Sequence, residues 1–469
     1  MHTSSDVDVA DMYAEKIVTK NDKLFYEYDK KLMPVIEKKI TIKYLENGKL
    51  IPKTFKTYFT NNGPIMAKRD GKWISLKSNN RSMNSLVQSW VRTKSKGFDD
   101  YKKAMDLKAN TSNNTVYADN KGNIAYWHGN FIPIRDKNLN WSKLIDGSTS
   151  VTQWKGLHEV SETVHFYNPT NGWLQNCNST PFTVSGANSP KKENYPSYMA
   201  PDGENFRGVN AVRLLSKGNN YTLDKIIADG YDTKLTAFEF LIPALITSFE
   251  KKISKDNPLY AELVEPIKLL KNWDYYAKEN SVATTLAIEW AYKLDPIIQK
   301  FYVDQGELDQ VENTKNFASN ASTNQLIPQL QIVVNELKNK FGTWEIPWGE
   351  INRFQRLSGD INLVYNDALP SLPIGYGPAL WGSLPAYKSN YQKDTKKRYG
   401  FNGNSFVCAV EFGPKIKAKS LLAGGNSGDP KSKHFYDQAE MYRKGEFKDV
   451  LFYKEDVQKN AEKTYHPGE

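Results

Sequence analysis

The amino-acid sequence predicts an α+β fold in which a strand-rich first part precedes a helical lobe. Up to about residue 215, short runs of alternating apolar and polar residues are separated by turns, a pattern typical of strands. From about residue 222 to residue 342, apolar residues recur every three or four positions, which is the spacing of one helix face. Strands and helices that occupy separate stretches of a chain are typical of the α+β class.

Two β-hairpins are predicted in the strand-rich part. Residues 39–44 and 54–59 alternate on either side of an Asn-Gly turn, a dipeptide that favours tight hairpins. Residues 115–118 and 123–127 alternate in the same way around a second short turn. We therefore expect four strands, paired as two antiparallel hairpins.

The segments next to these hairpins are predicted as a break, two helices and loops. The run Asn-Asn-Gly-Pro-Ile at residues 61–65 indicates a break, because Gly and Pro interrupt regular structure. Residues 83–90 and 98–105 are predicted as two short helices, and residues 129–165 are expected to be rich in loops.

The helical lobe is predicted from apolar residues at helical spacing and ends near Phe341-Gly342. Those residues are Leu235, Phe238, Leu241, Ile242, Leu245 and Phe249, then Leu286, Trp290, Ala291, Leu294, Ile297 and Ile298. Residues 404–412 are then predicted as a strand that rejoins the first region. The predicted division is a first core part at residues 1–215, a helical lobe at 216–345 and a C-terminal part returning to the core at 346–469.

The composition argues against a membrane-spanning protein and against a nucleic-acid-binding one. Of the 469 residues, 39% are hydrophobic, which is enough for a sizeable core, but no stretch of 18 or more residues is continuously apolar. The net charge of +10 comes from basic residues scattered among acidic ones, whereas a nucleic-acid surface collects them in one stripe. We therefore expect no membrane span and no nucleic-acid partner. The alternative is a protein that binds nucleic acid through its positive charge, and such binding would weaken as salt is added.

The sequence leaves the cellular compartment open. The residues after Met1 form neither a basic nor an apolar region, so the chain as given encodes no export signal. The protein is then either cytoplasmic or has its true start upstream. Cys177 and Cys408 are too few to form a metal site or a disulfide framework by themselves, so the redox compartment also stays undecided.

Two segments resemble known catalytic motifs only superficially. The run from His158 to His165 holds two histidines and two glutamates, but its spacing is not that of the His-Glu-x-x-His zinc motif. The run from Gly425 to Gly428 lacks the Gly-x-Ser-x-Gly spacing of a hydrolase nucleophile. We interpret the first as a segment without a metal and the second as a Gly-rich turn.

The most informative stretch is residues 167–178, whose one-letter sequence is YNPTNGWLQNCN. It places Asn178 just after an Asn-Pro and Asn-Gly turn. There the side-chain amide of Asn178 can donate a hydrogen bond to an oxygen that becomes negative during amide hydrolysis. Without further context, the same residue is interpreted as a turn residue.

Six segments that are spread in order over nearly the whole chain carry a resemblance to a known family: residues 8–17, 61–65, 117–126, 166–181, 347–353 and 423–438. They resemble the β-chain of the penicillin acylase family, whose members hydrolyse amides with an N-terminal serine. Several matches in the same order are specific, although each is weak by itself. The resemblance implies an αββα N-terminal-nucleophile hydrolase sandwich, incomplete in this chain, with the helical lobe as an insertion.

The resemblance also implies three catalytic roles. Asn178 matches the oxyanion-hole Asn of the family, the second Asn of an Asn-x-Asn pair. Ser4 matches the residue whose backbone N–H is the other oxyanion donor, and Arg207 matches the Arg that positions the Asn. Without the resemblance, Arg207 would be interpreted as part of a surface salt bridge.

A structural calcium ion is implied in the same way. Asp8, Asp11 and the carbonyl of Ala10 match the calcium-binding turn of the family. Carboxylate and carbonyl oxygens suit Ca2+, which takes six to eight oxygen ligands, so further ligands must come from elsewhere in the protein. The alternative is a solvated or helix-capping acidic turn.

The nucleophilic serine of the family has no counterpart in the chain. In the family this serine opens the β-chain after self-cleavage, and its own α-amino group is the base. Because Met1 aligns inside the β-chain, the resemblance places the serine, the α-chain and any signal peptide upstream. One alternative is trimming that exposes Thr3 or Ser4 as the nucleophile.

Asp6 stands where penicillin G acylases have an aromatic residue of the acyl pocket, which argues against phenylacetyl specificity.

We therefore predict the larger part of the β-chain of an amide hydrolase. Its substrate would be a small acyl amide, such as an N-acyl-homoserine lactone or a β-lactam side chain, and residues 424–438 favour the acyl-homoserine-lactone acylase branch. The chain alone is expected to be inactive, with the α-chain or upstream segment of the same precursor as its partner. The resemblance implies a periplasmic or secreted enzyme. The alternative is a catalytically inactive, acylase-like ligand-binding protein or a truncated fragment.

Overall fold

The computed structural model describes residues 2–4, 9–79, 82–110, 113–305, 309–466 and 468, with the backbone alone for His2, Ser4 and residues 303–305. Contacts within the chain divide it into two compact units, Met1–Asp202 and Gly203–Glu469. The second unit contains both the predicted helical lobe and the predicted C-terminal part. The α+β class is confirmed, because strands dominate the first unit and helices the first half of the second.

The described part of the first unit is built mainly from strands. Its elements are β1 (His2–Ser4), β2 (Ala10–Glu15), β3 (Ile17–Lys20), β4 (Lys23–Tyr28), β5 (Lys31–Pro34), β6 (Ile36–Glu46), β7 (Lys49–Thr60), β8 (Gly63–Arg69), β9 (Lys72–Ser78), α1 (Met83–Arg92), α2 (Phe98–Met105), β10 (Asn113–Ala118), β11 (Ile124–His128), β12 (Ile145–Asp146) and β13 (His165–Tyr167).

These strands form three sheets. The largest has the order β12-β2-β9-β8-β7-β6, the second has the order β1-β10-β11-β13, and the third is the meander β3-β4-β5. Strand β1 pairs antiparallel with β10, which places Thr3 opposite Asn114 and Ser4 opposite Asn113. The second sheet therefore joins the start of the described chain to β13, the strand that leads into residues 167–178.

Both predicted hairpins are confirmed, and the first is longer than predicted. Strands β6 and β7 pair in register from Ile36 opposite Phe59 to Glu46 opposite Lys49. Asn47 and Gly48 both have positive φ, 49° and 76°, which is the conformation of a tight hairpin turn whose twist matches the strands. The Asn-Gly dipeptide thus sets the register of the whole hairpin.

The predicted break at residues 61–65 is wrong in part, because a turn at Asn61-Asn62 leads directly into β8. Gly63, the first residue of β8, has φ 118°, and a Cβ on it would lie 2.2 Å from the carbonyl oxygen of Leu76 in β9. Glycine is therefore required here by the close approach of two backbones. The same residue that indicates a break in the sequence begins a strand in the structure.

Two apolar clusters lie within the first unit. One packs Tyr13 of β2 against residues of β12 and of the irregular segments before and after β13. Its other buried members are Ile132, Trp141, Ile145, Val164, Tyr198, Met199 and Ala200. The other packs the inner faces of α2 and β11 through Met105, Ala125, Trp127 and Val160. Helices α1 and α2 lie where the sequence predicts them. The loops at residues 129–165 are held by the first cluster.

The described part of the second unit is mainly helical before residue 352 and carries short strands after it. Its elements are α3 (Phe206–Leu215), α4 (Leu223–Gly230), α5 (Phe238–Lys252), α6 (Pro258–Lys271), α7 (Val282–Gln305), α8 (Gln310–Asn320), α9 (Thr323–Phe341), α10 (Trp348–Ile351), β14 (Asn352–Phe354), β15 (Leu372–Pro373), β16 (Tyr387–Tyr391), β17 (Arg398–Gly403), β18 (Phe406–Glu411), β19 (Lys417–Leu422), α11 (Ala439–Lys444), β20 (Lys448–Asp449) and α12 (Lys454–Lys459).

The predicted helical lobe is confirmed, and helices α5, α7 and α9 carry most of its core. The apolar residues that predict the lobe are nearly all buried there, from Leu235 to Leu294. Helix α9 begins with a capping box at Ser322 and ends at Gly342, whose φ of 82° is the left-handed conformation that glycine adopts at helix ends. Within the described residues, none of the helices is both long and apolar enough to cross a membrane.

The predicted strand at residues 404–412 is confirmed as β18, Phe406–Glu411, and its return to the first region stays a prediction. Strand β18 pairs antiparallel with β19, which pairs with β20, and the three form a sheet of the second unit. The alternating pattern identifies the strand correctly, but pairing partners are set by contacts between distant segments. A second sheet of this unit has the order β15-β14-β17-β16.

Candidate active site

The loop that begins at Asn168 follows β13 and is anchored to the sheet at its first residue. The backbone N–H of Asn168 donates to the carbonyl of Ile124 (2.9 Å), and its Oδ1 accepts from the backbone N–H of Ile124 (2.8 Å). Asn168 has φ 46° and Gly172 has φ 74°, so both residues use the left-handed region that Asn and Gly tolerate best. The Asn-Pro and Asn-Gly turns of the sequence therefore reverse the chain as predicted.

Further along the loop, the side chain of Asn176 collects hydrogen bonds from two strands. Its Oδ1 accepts from the hydroxyl of Thr3 in β1, from Nδ2 of Asn114 in β10 (3.3 Å) and from the backbone N–H of Asn178 (3.3 Å). Its Nδ2 donates to the carbonyl of Ser179 (3.3 Å). The loop is thus tied to the pair of strands that carries Ser4.

Asn178, the predicted oxyanion donor, is half-buried and has φ 59°. Among residues with a side chain, Asn is one of the few that adopt this left-handed conformation readily. The bond from its backbone N–H to Asn176 Oδ1 makes an Asx-type turn, which is a local reason for the conformation. The position suits an Asn for backbone reasons as well as for its amide.

Ser4, the predicted second donor, ends β1, and its backbone pairs with Asn113. The neighbouring residue, Thr3, makes the side-chain bond to Asn176. Because consecutive Cα atoms are about 3.8 Å apart, this bond holds Ser4 close to the loop of Asn178. The structure thus brings the segments of two predicted site residues together.

Arg207, the third predicted residue, lies in the second unit, as the second residue of α3. The helix is capped by Asn205, whose side chain accepts from the backbone N–H of Gly208 (3.0 Å), and Arg207 itself is half-buried. Since Asn178 belongs to the first unit, the predicted action of Arg207 on Asn178 stays a prediction.

Of the predicted calcium ligands, Asp8 lies outside the described residues, while Ala10 and Asp11 belong to β2. Asp11 is fully buried, and its Oδ2 accepts from Nε of Arg135 (2.9 Å) and from Nε1 of Trp154. Its other oxygen, Oδ1, is buried without a hydrogen-bond partner among the described residues. Burial raises the pKa of Asp11 above its ordinary value, while Arg135 acts in the opposite direction.

Arg135 is also fully buried and lies in an aromatic cage. Its guanidinium carbon is 5.4 Å from the ring centre of Trp141, 5.9 Å from that of Trp154 and 5.7 Å from that of Tyr198. Aromatic faces attract a cation, most strongly when it is removed from water. The carboxylate of Asp11 therefore already has a positive partner supplied by the protein.

For the predicted calcium ion, the described residues of this region offer one unpartnered oxygen, Oδ1 of Asp11. One oxygen of Asp11 is used by two N–H donors, and the buried guanidinium of Arg135 would repel a second cation. Nowhere in the described parts of the chain do three His, Cys, Asp or Glu side chains gather in a way that could hold a metal. Because Asp8 lies outside those parts, calcium stays a prediction.

Thr3, one of the two alternative nucleophiles, uses its hydroxyl as a donor to Asn176. If trimming exposed Thr3, its own α-amino group would be the base, so the contact with the amide oxygen does not test that alternative. Asp6, the residue that argues against phenylacetyl specificity, lies outside the described residues. The alternative of a trimmed terminus stays a prediction.

The two superficial motifs have structural roles. His158 contacts the hydroxyl of Tyr198 (3.0 Å) and the carboxylate of Glu162 (3.2 Å), whereas His165 contacts the carbonyl of Thr163 (2.8 Å), so the two histidines bind different partners. In the Gly-rich turn, Arg356 donates to the carbonyl of Ser427 (2.8 Å) and braces the loop. The interpretation of residues 425–428 as a Gly-rich turn agrees with the contact of Arg356, and the interpretation of residues 158–165 as a segment without a metal stays a prediction.

Sequence reasoning identifies neither Asn114 nor Arg135 as a residue of these sites, and it assigns no role to Asn176. Asn176 is the first Asn of the Asn-x-Asn pair, so a signal for it exists in the sequence. Arg135 is 124 residues from Asp11 and Asn114 is 62 residues from Asn176. Neither belongs to a motif, so only the fold pairs them.

Comparison with known proteins agrees with these features. The family model for penicillin amidase matches residues 1–459, nearly the whole chain. The solved structure of a thermostable penicillin G acylase from Alcaligenes faecalis is similar, with a TM-score of 0.66 over 99% of this chain and 87% of that one, at 17% sequence identity. At this identity the likeness shows the fold alone. The match of the family model shows that the chain belongs to the penicillin amidase family, and the family and fold support an amide hydrolase in general.

Proposed function

From this membership, we propose that the chain is the β-chain part of an acylase that cleaves an acyl group from an amide. In the proposed reaction, a serine encoded upstream attacks the acyl carbonyl, and its α-amino group takes the hydroxyl proton and returns it to the leaving amine. The C–N bond breaks, and water then hydrolyses the acyl-serine ester. The α-chain or upstream segment of the same precursor is the partner.

The chain's own contribution is the oxyanion hole. The carbonyl oxygen of the substrate becomes negative when the serine attacks, and the amide of Asn178 and the backbone N–H of Ser4 are the proposed donors. The observation that supports this most is the hydrogen bond between Thr3 and Asn176, because it ties the strand of Ser4 to the loop of Asn178. Arg207 is the proposed positioning residue for Asn178.

The substrate class is proposed from the resemblance. An N-acyl-homoserine lactone is favoured over a β-lactam side chain, since residues 424–438 are closer to the acyl-homoserine-lactone branch and Asp6 replaces an aromatic residue of the phenylacetyl pocket. The same resemblance supports a periplasmic or secreted location. Calcium has weaker support, because Arg135 neutralises Asp11.

The test is hydrolysis by the product of the native gene, including whatever it encodes upstream. The probes are N-acyl-homoserine lactones of increasing acyl length and phenylacetyl p-nitroanilide. We expect turnover of the lactones, and Asn178→Ala should lower kcat by about a hundredfold or more, since removing one oxyanion donor costs about 3 kcal/mol.

The matched control is Asn220→Ala. Asn220 is exposed in the second unit and also has a left-handed φ, 48°, so its replacement strains the backbone in the same way but removes no proposed oxyanion donor. Its kcat should stay within about threefold of the wild type. Equal losses in the two variants would overturn the oxyanion role of Asn178. Ligand binding without turnover would support the inactive, acylase-like alternative.

A further inference from the structure

The amide oxygen of Asn176 is the point where β1, β10 and the loop of Asn178 meet, because donors from all three reach it. We infer that Asn176 is the positioning residue of the oxyanion hole, which sets the distance between the amide of Asn178 and the backbone N–H of Ser4. The inference rests on the proposed function. It assigns to the first Asn of the Asn-x-Asn pair a role distinct from that of the second.

The first step of the argument is the register of the second sheet. Thr3 and Asn114 are direct neighbours across the β1–β10 ladder, and both side chains donate to Asn176 Oδ1. Asn114 is completely buried, so one of these donors is fixed by the core. The loop is thereby attached to the ladder itself and not to a solvent-exposed side chain.

The second step is the local turn. The backbone N–H of Asn178 donates to the same Oδ1, so the group that holds β1 also shapes the turn in which Asn178 has its left-handed conformation. Movement of the Asn176 side chain would therefore change the direction of Asn178 and its distance from Ser4 together. A single side chain couples the two proposed donors.

The third step explains why this residue is an Asn. Its Oδ1 faces three donors, whereas its Nδ2 faces the carbonyl of Ser179 at 3.3 Å, and only this orientation of the amide satisfies both sides. An Asp would keep an acceptor toward Thr3 but would place a second acceptor against the Ser179 carbonyl. A Leu would satisfy neither side.

The catalytic consequence follows from geometry. Oxyanion donors act only when they lie about 3 Å from the oxygen of the tetrahedral intermediate, and a misplacement of about 1 Å can cost a hundredfold in rate. Ground-state binding of the acyl chain does not use these donors. Loss of Asn176 should therefore lower kcat and leave KM nearly unchanged.

The kinetic experiment compares Asn176→Ala with Asn171→Ala in the native gene product. Asn171 is in the same loop, and its side chain donates to the carbonyl of Ser185 (2.9 Å) and accepts from the hydroxyl of Ser185 (2.8 Å). We expect Asn176→Ala to lower kcat about tenfold to a hundredfold with KM within about twofold, and Asn171→Ala to leave both within about twofold. The N-acyl-homoserine lactones are the probes.

The double variant Asn176→Ala/Asn178→Ala tests whether Asn176 acts through the oxyanion hole. If it does, adding Asn176→Ala to the Asn178→Ala variant lowers kcat by a much smaller factor than adding Asn176→Ala to the wild type. Multiplicative effects would mean that Asn176 acts elsewhere.

Hydrogen exchange measured by mass spectrometry tests the geometry without turnover. In Asn176→Ala, exchange should accelerate both in peptides that contain Thr3 and in peptides that contain Asn178. In Asn171→Ala, only the loop peptides should change. Unchanged exchange at Thr3 in Asn176→Ala overturns the inference.

The two sets of outcomes separate the inference from the proposed function. A native gene product that hydrolyses no acyl amide overturns the proposed function, and hydrogen exchange then decides whether Asn176 couples β1 to the loop. An active enzyme that needs Asn178 but tolerates Asn176→Ala within about twofold overturns the role of Asn176 and keeps the oxyanion hole.

Discussion

The loop around Asn176 and the buried pair of Asp11 and Arg135 both lie in the first unit, and the resemblance assigns a functional role to residues in each. At the loop, neutral amide and hydroxyl groups meet in a half-buried position. At Asp11, a carboxylate and a guanidinium meet in a position closed to solvent, within three aromatic rings.

The two regions differ in which side-chain groups remain available to bind a ligand. At the loop, the side chain of Asn176 is used for bonds within the protein, so that the neighbouring Asn178 can be directed at a substrate. At Asp11, the protein's own cation, Arg135, pairs with one carboxylate oxygen, and the other oxygen, Oδ1, has no hydrogen-bond partner among the described residues. Whether the groups of a family motif remain available to a ligand therefore depends on partners far away in the sequence.

Replacement of Arg135 by Met should have the largest effect. It removes one charge of a buried pair, which typically costs about 3–5 kcal/mol of unfolding free energy. Loss of Arg135 also raises the pKa of Asp11 further above the value of about 4 that it has when unfolded. Acid then favours the folded, protonated form, so the deficit relative to wild type should shrink as pH falls from neutral toward that value. Urea unfolding at several pH values measures this.

The control for this experiment is Arg353→Met. Arg353 donates to the hydroxyl of Ser371 (3.0 Å) and to the carbonyl of Gly349 (2.8 Å), both neutral, so its loss should destabilise the protein by a similar amount at neutral and mildly acid pH. A deficit for Arg135→Met that does not change with pH would show that Arg135 contributes packing and not charge.

Replacement of Thr3 by Val should have a smaller effect, confined to catalysis. Val keeps the shape of Thr but cannot donate to Asn176, and one hydrogen bond contributes about 0.5–1.5 kcal/mol. We expect kcat of the native gene product to fall by about twofold to tenfold with little change in melting temperature. Thr3→Ser, which keeps the hydroxyl, should recover most of the loss.

The same variant separates two interpretations of Thr3. A residue that only supports Asn176 leaves substantial activity when it is replaced by Val. Complete loss of turnover would instead support the alternative in which trimming makes Thr3 the terminal nucleophile.

Removal of calcium should have the smallest effect. Because Arg135 neutralises Asp11, we expect the melting temperature to be the same in excess EGTA and in excess Ca2+. A ligand that binds only the folded state would raise it. A higher melting temperature with Ca2+ but not with Mg2+ would support a calcium site that includes Asp8, and terbium luminescence sensitised by nearby tryptophans would then locate it.

Much of the fold could be predicted from local sequence. The β6–β7 hairpin follows from its Asn-Gly turn, and α9 ends where Gly342 allows a left-handed residue. The strand start at Gly63 and the pairing of β18 with β19 could not be predicted, because both depend on the approach of a second strand. The spacing of apolar residues and the turn residues indicate local conformation, but they do not indicate which strands pair with each other.

At the candidate sites, the sequence by itself determined the loop of Asn178, its turns and the membership of the family, because these depend on residues close together in the chain and on ordered motifs. Only the tertiary structure decided that Thr3 and Asn114 meet at Asn176, and that Arg135 neutralises Asp11. The physical reason is that hydrogen bonds and charge pairs act over a few ångströms, and their partners here are separated by 62 to 173 residues of chain.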